Sequence, residues 1–276
     1  MPATSDNVFS RISVDYAMRG GARITWELAH HFIAPAPHTY QLQVGSTGNN
    51  DADDWEDVGD PFTDAFYATD TEQRDFGKNL TAHYRIKLTD GNNVTYTSQP
   101  ASAYGILDHR SWCQAREWLR KLQLRNSKFV GTAGWLFKAK RAGTIPDPTD
   151  LSTAVTDPLT GEIVQSRTTN TYGTRFAGGY FTPMAHWMDL SQEQNNEQID
   201  DQLARGTVND FRVQQGLCIA YPQLYNGDVW VAKDSDQRFY IDKVDTIAQY
   251  RNVPIYVRAE MRLAPTSDII YELPLP

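Results

Sequence analysis

The feature that most constrains this chain is the run Pro254-Ile255-Tyr256-Val257-Arg258-Ala259-Glu260-Met261-Arg262-Leu263. Apolar residues occupy every second position, Ile255, Val257, Ala259, Met261 and Leu263, and Arg258, Glu260 and Arg262 stand between them. A strand turns successive side chains to opposite faces, so this spacing gives one face to a core and the other to water. Shorter runs repeat the pattern. Ile24, Trp26 and Leu28 alternate in Arg23–Leu28, and Tyr40, Leu42 and Val44 alternate in Tyr40–Gly45. Tyr84–Leu88 and Val94–Tyr96 flank the Asp90-Gly91-Asn92 turn, and Trp55–Gly59 follows a Gly/Asn/Asp loop. Short alternating runs broken by turn residues predict a mainly β chain that begins with an antiparallel sandwich.

The later sequence predicts more strands and one helix. Gly227–Val231 and Arg238–Val244 flank Asp234-Ser235-Asp236, a hairpin signature, so the C-terminal part reads as a small barrel or sandwich. Gly131–Lys138 reads as a turn entering a strand, because it lacks the Gly-Lys-Ser/Thr ending of a phosphate loop. Asp108 is suited to cap a helix in which Trp112, Ala115, Trp118, Leu119 and Leu122 form one stripe. Asp157-Pro158-Leu159-Thr160-Gly161-Glu162 predicts a turn inside an extended Thr144–Thr174 arm. Leu190–Asp210 reads as a polar loop or a short helix capped by Ser191. Three consecutive parts are expected: residues 1–105 as the sandwich, 106–189 as helix plus hairpin arm, and 190–276 as the barrel-like part.

The first of these resembles a fibronectin type III domain across about residues 8–103. The marks are Trp26 on the second strand, Tyr40-Gln41-Leu42-Gln43-Val44-Gly45 on the third, Trp55-Glu56-Asp57-Val58-Gly59 after it, Tyr84-Arg85-Ile86-Lys87-Leu88 on the penultimate strand, and Tyr96–Pro100 at the exit. The resemblance implies a display or spacer domain without catalytic residues of its own. Further on, Tyr172-Gly173-Thr174-Arg175-Phe176-Ala177-Gly178-Gly179-Tyr180-Phe181-Thr182-Pro183 is similar to a segment of tailed-bacteriophage virion proteins. The resemblance implies Cys pairs around this hairpin, which relatives of that kind often hold as a small zinc knuckle. This chain has no cysteine between Cys113 and Cys218, so packing of Tyr172, Phe176, Tyr180 and Phe181 would have to replace it. The order Gly227-Asp228-Val229-Trp230 followed by Arg238-Phe239-Tyr240-Ile241-Asp242-Lys243-Val244 is similar to barrels of phage head-to-tail connectors.

Charge divides the chain. Asp108 to Arg141 holds nine Lys/Arg against two acids, a local +7 within a total of −8 that leaves −15 elsewhere. An acidic body argues against coating nucleic acid, and DNA contact is expected only through Arg110–Arg141. No run is long and apolar enough to span a membrane, and Met1–Asn7 has no signal-peptide character. Reduced thiols and assembly in a host cytoplasm, with residence in a virion, are the expectation. The six histidines, His30, His31, His38, His83, His109 and His186, form no metal-type spacing, and neither a nucleophile elbow nor a dinucleotide loop is present. No cofactor is therefore expected, and Asp51–Asp54 reads as a solvated acidic turn in preference to a Ca²⁺ loop.

These readings converge on a structural virion protein, a ring-forming neck, connector or collar component that is not an enzyme. Its partners would be identical subunits and other virion proteins such as portal, tail or fibre proteins. The candidate contact residues are Trp112, Arg116, Trp118, Arg120, Lys121 and Arg125 on the helix. Trp135, Phe176 and Tyr180 follow in the glycine-rich region, and Ile270, Tyr271 and Leu273 in the apolar tail, which should dock on its own core or on a neighbour. The alternatives are a baseplate or tail-fibre adaptor and, from another class, a carbohydrate-binding module of a hydrolase.

Overall fold

A computed structural model describes residues 8–15, 22–72, 82–102, 109–143, 155–156, 163–164, 170–190, 213–251 and 253–276. In chain order the first strands are β1 Phe9–Asp15, β2 Ala22–Leu28, β3 Thr39–Gly45, β4 Glu56–Thr63, β5 Tyr67–Asp70, β6 His83–Thr89, β7 Thr95–Thr97 and β8 Ala101–Ser102. The helix α1, His109–Arg125, runs into a single π-helical turn, Asn126–Val130, and then into β9, Thr132–Phe137. Two short strands, β10 Val155–Thr156 and β11 Ile163–Val164, pair with each other. The series ends with β12 Met184–Met188, β13 Val213–Ile219, β14 Val229–Ala232, β15 Arg238–Tyr250 and β16 Val253–Leu263, followed by a 3₁₀ turn at Ile269–Glu272. The chain is mainly β with one α-helix among the described residues, as the alternation requires.

Two compact units emerge, and they interleave. One comprises Met1–Arg116 with Ala139–Thr182, and the other Glu117–Lys138 with Pro183–Pro276. The compact units thus differ from the three consecutive parts 1–105, 106–189 and 190–276, because the middle stretch is shared between them. Asp108, the turn at 157–162, most of the 144–174 arm and the polar stretch 191–210 lie outside the described residues.

In the first unit, β1-β2-β5 form one antiparallel sheet and β4-β3-β6-β7 another, with β8 beside β6. Ile24 and Trp26 from the first sheet share one core with Tyr40, Leu42, Val44, Tyr84, Ile86 and Leu88 from the second. The alternation puts these residues on facing sides, and burying each large side chain contributes roughly 1.5–3 kcal/mol. A bulge separates β3 and β4 between Tyr40 and Leu42, where Gln41 Nε2 donates to the carbonyls of Val58 and Gly59. Residues from 139 onward belong to this unit: Ala139 bridges Tyr180, and Phe181 packs on Phe66 at 6.0 Å between ring centroids.

The second unit is a six-stranded antiparallel sheet in the order β12-β9-β14-β15-β16-β13. Its edges meet where Asp189, just past β12, exchanges backbone hydrogen bonds with Leu217 of β13 at 2.8 and 2.9 Å. The sheet therefore curls until its two edges touch at this bridge, in the manner of a barrel. Leu136, Met184, Met188, Ile219, Trp230, Ile241, Ala259 and Met261 are fully or almost fully buried. Trp230 lies so close to β9 that a Cβ on Gly134 would sit 2.4 Å from the indole, which explains glycine there. The β14–β15 ladder ends at Val229 opposite Tyr240, whereas β15 continues along β16 to Tyr250. The hairpin is thus longer than the barrel wall that contains it.

Candidate functional site

The surface that stands out lies in the barrel unit, along the second half of α1 and the π-helical turn. Sequence spacing placed Trp118 on the apolar stripe with Ala115 and Leu119. Ala115 and Leu119 are indeed buried, but Trp118 is 58% exposed. Leu124 and Val130 are also exposed, and Phe129 reaches 77% exposure. Four of the eight exposed large apolar residues among those described thus fall between positions 118 and 130. Arg120, Lys121, Arg125 and Lys128 are interspersed with them and exposed.

The π-helical turn positions this strip. Gly131 N–H donates to Asn126 O at 2.9 Å, and a Cβ on Gly131 would lie 2.1 Å from that oxygen, so only glycine permits the closure. Asn126 is completely buried, donates through Nδ2 to Leu217 O at 3.3 Å and accepts from Tyr256 Oη at 3.3 Å. Burial is the first cause that raises the Tyr256 phenol above its ordinary value. Arg125 Nη2 reaches Asp189 Oδ2 at 3.1 Å, beside the bridge that closes the barrel. Arg125, expected to face a partner, therefore fastens the helix end to its own unit. Arg120 and Lys121 lie 3.8 and 3.7 Å from Glu117, exposed pairs of the kind that contribute little.

The other expected residues are placed as follows. The side chains of Trp112 and Arg116 lie outside what is described. Trp135 is partly exposed, with Lys233 Nζ 5.8 Å from its ring centre. In the first unit, Tyr180 is buried and packs at 6.4 Å from Tyr172, while Phe176 is partly exposed in a turn with positive φ at Tyr172, Gly173, Arg175, Gly178 and Gly179. Lys140 holds that turn through Ala177 O at 3.1 Å and Asp64 at 2.5 Å. The tail docks on its own barrel: Ile270 and Leu273 are buried, and their carbonyls accept from Arg238 Nη1. Tyr271 donates to Ala264 O at 3.3 Å. These three residues fill their own unit in this structure and are not a free partner surface.

Two further candidates resolve by geometry. Asp54 is occupied within its own loop, accepting from Ser46 N–H and Oγ at 2.8 and 2.6 Å and from Thr47 N–H at 2.9 Å. The Ser46 hydroxyl, first among these donors, holds its carboxyl down at about 2. Among the described residues no group of three His, Cys, Asp or Glu side chains is placed to hold a metal ion. Trp55 carries the Arg85 guanidinium over its ring at 4.1 Å, so that aromatic face is already covered.

Leu124, Phe129 and Val130 were not among the residues the sequence singled out. Their signal is the apolar pair Phe129-Val130 directly after polar Asn126-Ser127-Lys128, where an ordinary helix end would present polar groups to water. No helix among the described residues is long and apolar enough to cross a membrane. Comparison with protein-family models, curated proteins and solved structures finds no match to this chain.

Proposed function

We propose that this chain is a structural assembly protein of a tailed-phage virion, a ring-forming neck, connector or collar component that works through subunit contacts and carries out no catalysis. The observation that carries the assembly part is the exposed strip of Trp118, Leu124, Phe129 and Val130 among basic residues on the barrel unit. Several exposed large apolar side chains within one short basic segment are the kind of surface that interfaces bury. The virion part rests on the similarity of Tyr172–Pro183 and of the Gly227–Val244 order to phage virion proteins. The order β1-β2-β5 against β4-β3-β6-β7 supports a fibronectin type III-like reading of the first unit, which would then be the displayed part.

A baseplate or tail-fibre adaptor would use the same surfaces. The carbohydrate-binding reading has weaker support, since a sugar ring stacks on an open aromatic face and Arg85 covers that of Trp55. Light scattering and negative-stain imaging of the purified chain test the proposal. A closed ring of defined copy number is the expected result. A monomer at high concentration that is retained on a glycan column would overturn it.

A further inference from the structure

The proposed assembly leaves open which surface of a neighbouring copy receives the exposed strip, and charge answers that question. An occupant of Trp118, Leu124, Phe129 and Val130 must tolerate Arg120, Lys121 and Lys128 around them, so it must be acidic. The same chain offers such a surface in its other unit. Residues 51–60 contain Asp51, Asp53, Asp54, Glu56, Asp57 and Asp60 and no Lys or Arg. All but Asp54 are exposed, and Asp54 is used inside its loop.

This acidic stretch begins in the loop before β4, with Asp51, Asp53 and Asp54, and continues onto β4, an edge of its sheet, with Glu56, Asp57 and Asp60. Gly59, with φ of 68°, and Pro61 interrupt the strand, so another strand cannot readily extend the ladder there. What β4 presents is charge, because Val58 and Phe62 turn inward, Phe62 packing on Trp26 and Tyr40 at 5.7 and 6.2 Å between ring centroids. A basic-apolar helix fits such a surface better than a strand does.

We infer that the α1 strip of one copy docks on the acidic β4 edge of the next copy, a head-to-tail contact. This rests on the assembly reading above and adds to it the identity of both surfaces. A contact between two different patches repeats from copy to copy, so it produces a closed ring if the rotation closes and a filament if it does not. Opposite charge sets the orientation and the rate of encounter, while Phe129 and Trp118 supply the apolar burial.

Charge exchange tests the pairing on the full chain. The helix variant carries Arg120→Glu, Lys121→Glu and Lys128→Glu; the strand variant carries Asp53→Lys, Glu56→Lys and Asp60→Lys. Among the described residues these six side chains make no hydrogen bond, and Arg120 and Lys121 make only exposed pairs with Glu117; circular dichroism checks that each variant is folded. Sedimentation velocity should show that each variant alone self-associates at least about tenfold more weakly than the parent, a difference of about 1.4 kcal/mol. The two variants mixed should recover association, because each reversed surface then meets a complementary one. Phe129→Ser should weaken association at every salt concentration, whereas the charge variants should differ from the parent most at low salt.

If the parent assembles and the mixture stays dissociated, the pairing is wrong while the assembly reading stands. If the parent remains monomeric at all concentrations, the assembly reading itself fails. A monomeric parent that binds duplex DNA, with binding lost in the helix variant, would assign the strip to phosphate and overturn the docking inference.

Discussion

The two units both bury carboxylates, and they satisfy them in different ways. In the sandwich, Asp70 accepts from Tyr84 Oη at 2.9 Å and from Glu72 N–H at 3.0 Å. Asp90 accepts from the N–H groups of Asn92 and Val94 at 2.9 and 2.8 Å and so closes the turn between β6 and β7. These donors are neutral; those to Asp90 and the Glu72 amide are within four positions, while the Tyr84 hydroxyl on β6 reaches Asp70 on β5 of the facing sheet. In the barrel, Asp228 accepts from the nearby Tyr225 N–H at 2.9 Å but also holds Lys138 Nζ at 2.7 Å across 90 positions of chain, and Asp189 holds Arg125 across 64. Local neutral donors shape a turn that forms with its hairpin. Long-range ion pairs instead join segments that meet only when the whole barrel is assembled, so their loss should act on the unit as a whole.

The largest effect should come from Asp228→Ala. It leaves the buried Lys138 ammonium beside the Tyr225 ring and Gln223 O without its counter-charge, and breaking such a pair costs about 3–5 kcal/mol. Hydrogen exchange should show β9 and β14 amides losing protection while β3 and β6 amides keep theirs. Equal loss in both units would mean that the two do not respond separately. Tyr84→Phe is the sandwich counterpart. It removes a hydroxyl from Asp70 without taking away a charge, so about 1–3 kcal/mol is expected, now confined to β3 and β6.

A smaller effect concerns the alkaline limit. Complete burial pushes the Cys218 thiol up to about 12 from an ordinary value near 9. The folded value is raised, so the stabilisation is present below pH 9 and is lost as pH rises toward 12. Near pH 10 the barrel should have lost about 1 kcal/mol. Burial raises the Tyr40 phenol in the sandwich too, so that unit begins to weaken near pH 10, about one pH unit later. In a Cys113→Ser background, thiol labelling of Cys218 should proceed only as fast as the barrel opens. Rapid labelling at neutral pH would contradict the burial.

This contrast also explains what could be read from sequence. Alternation located Ile255, Val257, Ala259 and Met261 correctly, and all four are buried, because period-2 spacing is set locally by the backbone. Tyr256, at an even position like the outward Arg258 and Arg262, is buried as well, since Asn126, 130 positions earlier, comes to lie over it. The hairpin between β14 and β15 was legible from its turn residues, whereas the Asp189–Leu217 closure carries no local pattern. Trp118 shows the same limit on a helix. Adjacent helical residues point about 100° apart, so the stripe could be identified while the edge of the face covered by protein could not. Trp118, Arg120 and Lys121 were named from sequence, whereas Leu124, Phe129 and Val130 stand out through their exposure in the folded chain.

The smallest effect belongs to Asp54, where the sandwich's use of local neutral donors can be tested without disturbing a core. Its carboxyl is held at about 2, below its ordinary 3.8, by hydrogen bonds with Ser46 and Thr47 as donors. The folded value is depressed, so the contribution is present above about pH 4 and is lost as pH falls toward 2. The same loop fixes Trp55, whose Nε1 donates to Asn49 O at 2.8 Å. In the parent, the Trp55 indole resonance should keep its folded position down to about pH 3 and shift as pH approaches 2. Asp54→Asn should shift it already at neutral pH, with β3 and β6 amides unchanged, because an amide oxygen accepts more weakly than a carboxylate. An unchanged indole signal would mean that Asn49 and the Arg85 stack hold the loop without Asp54. A loss of β3 protection would mean that the acidic turn is coupled to the core.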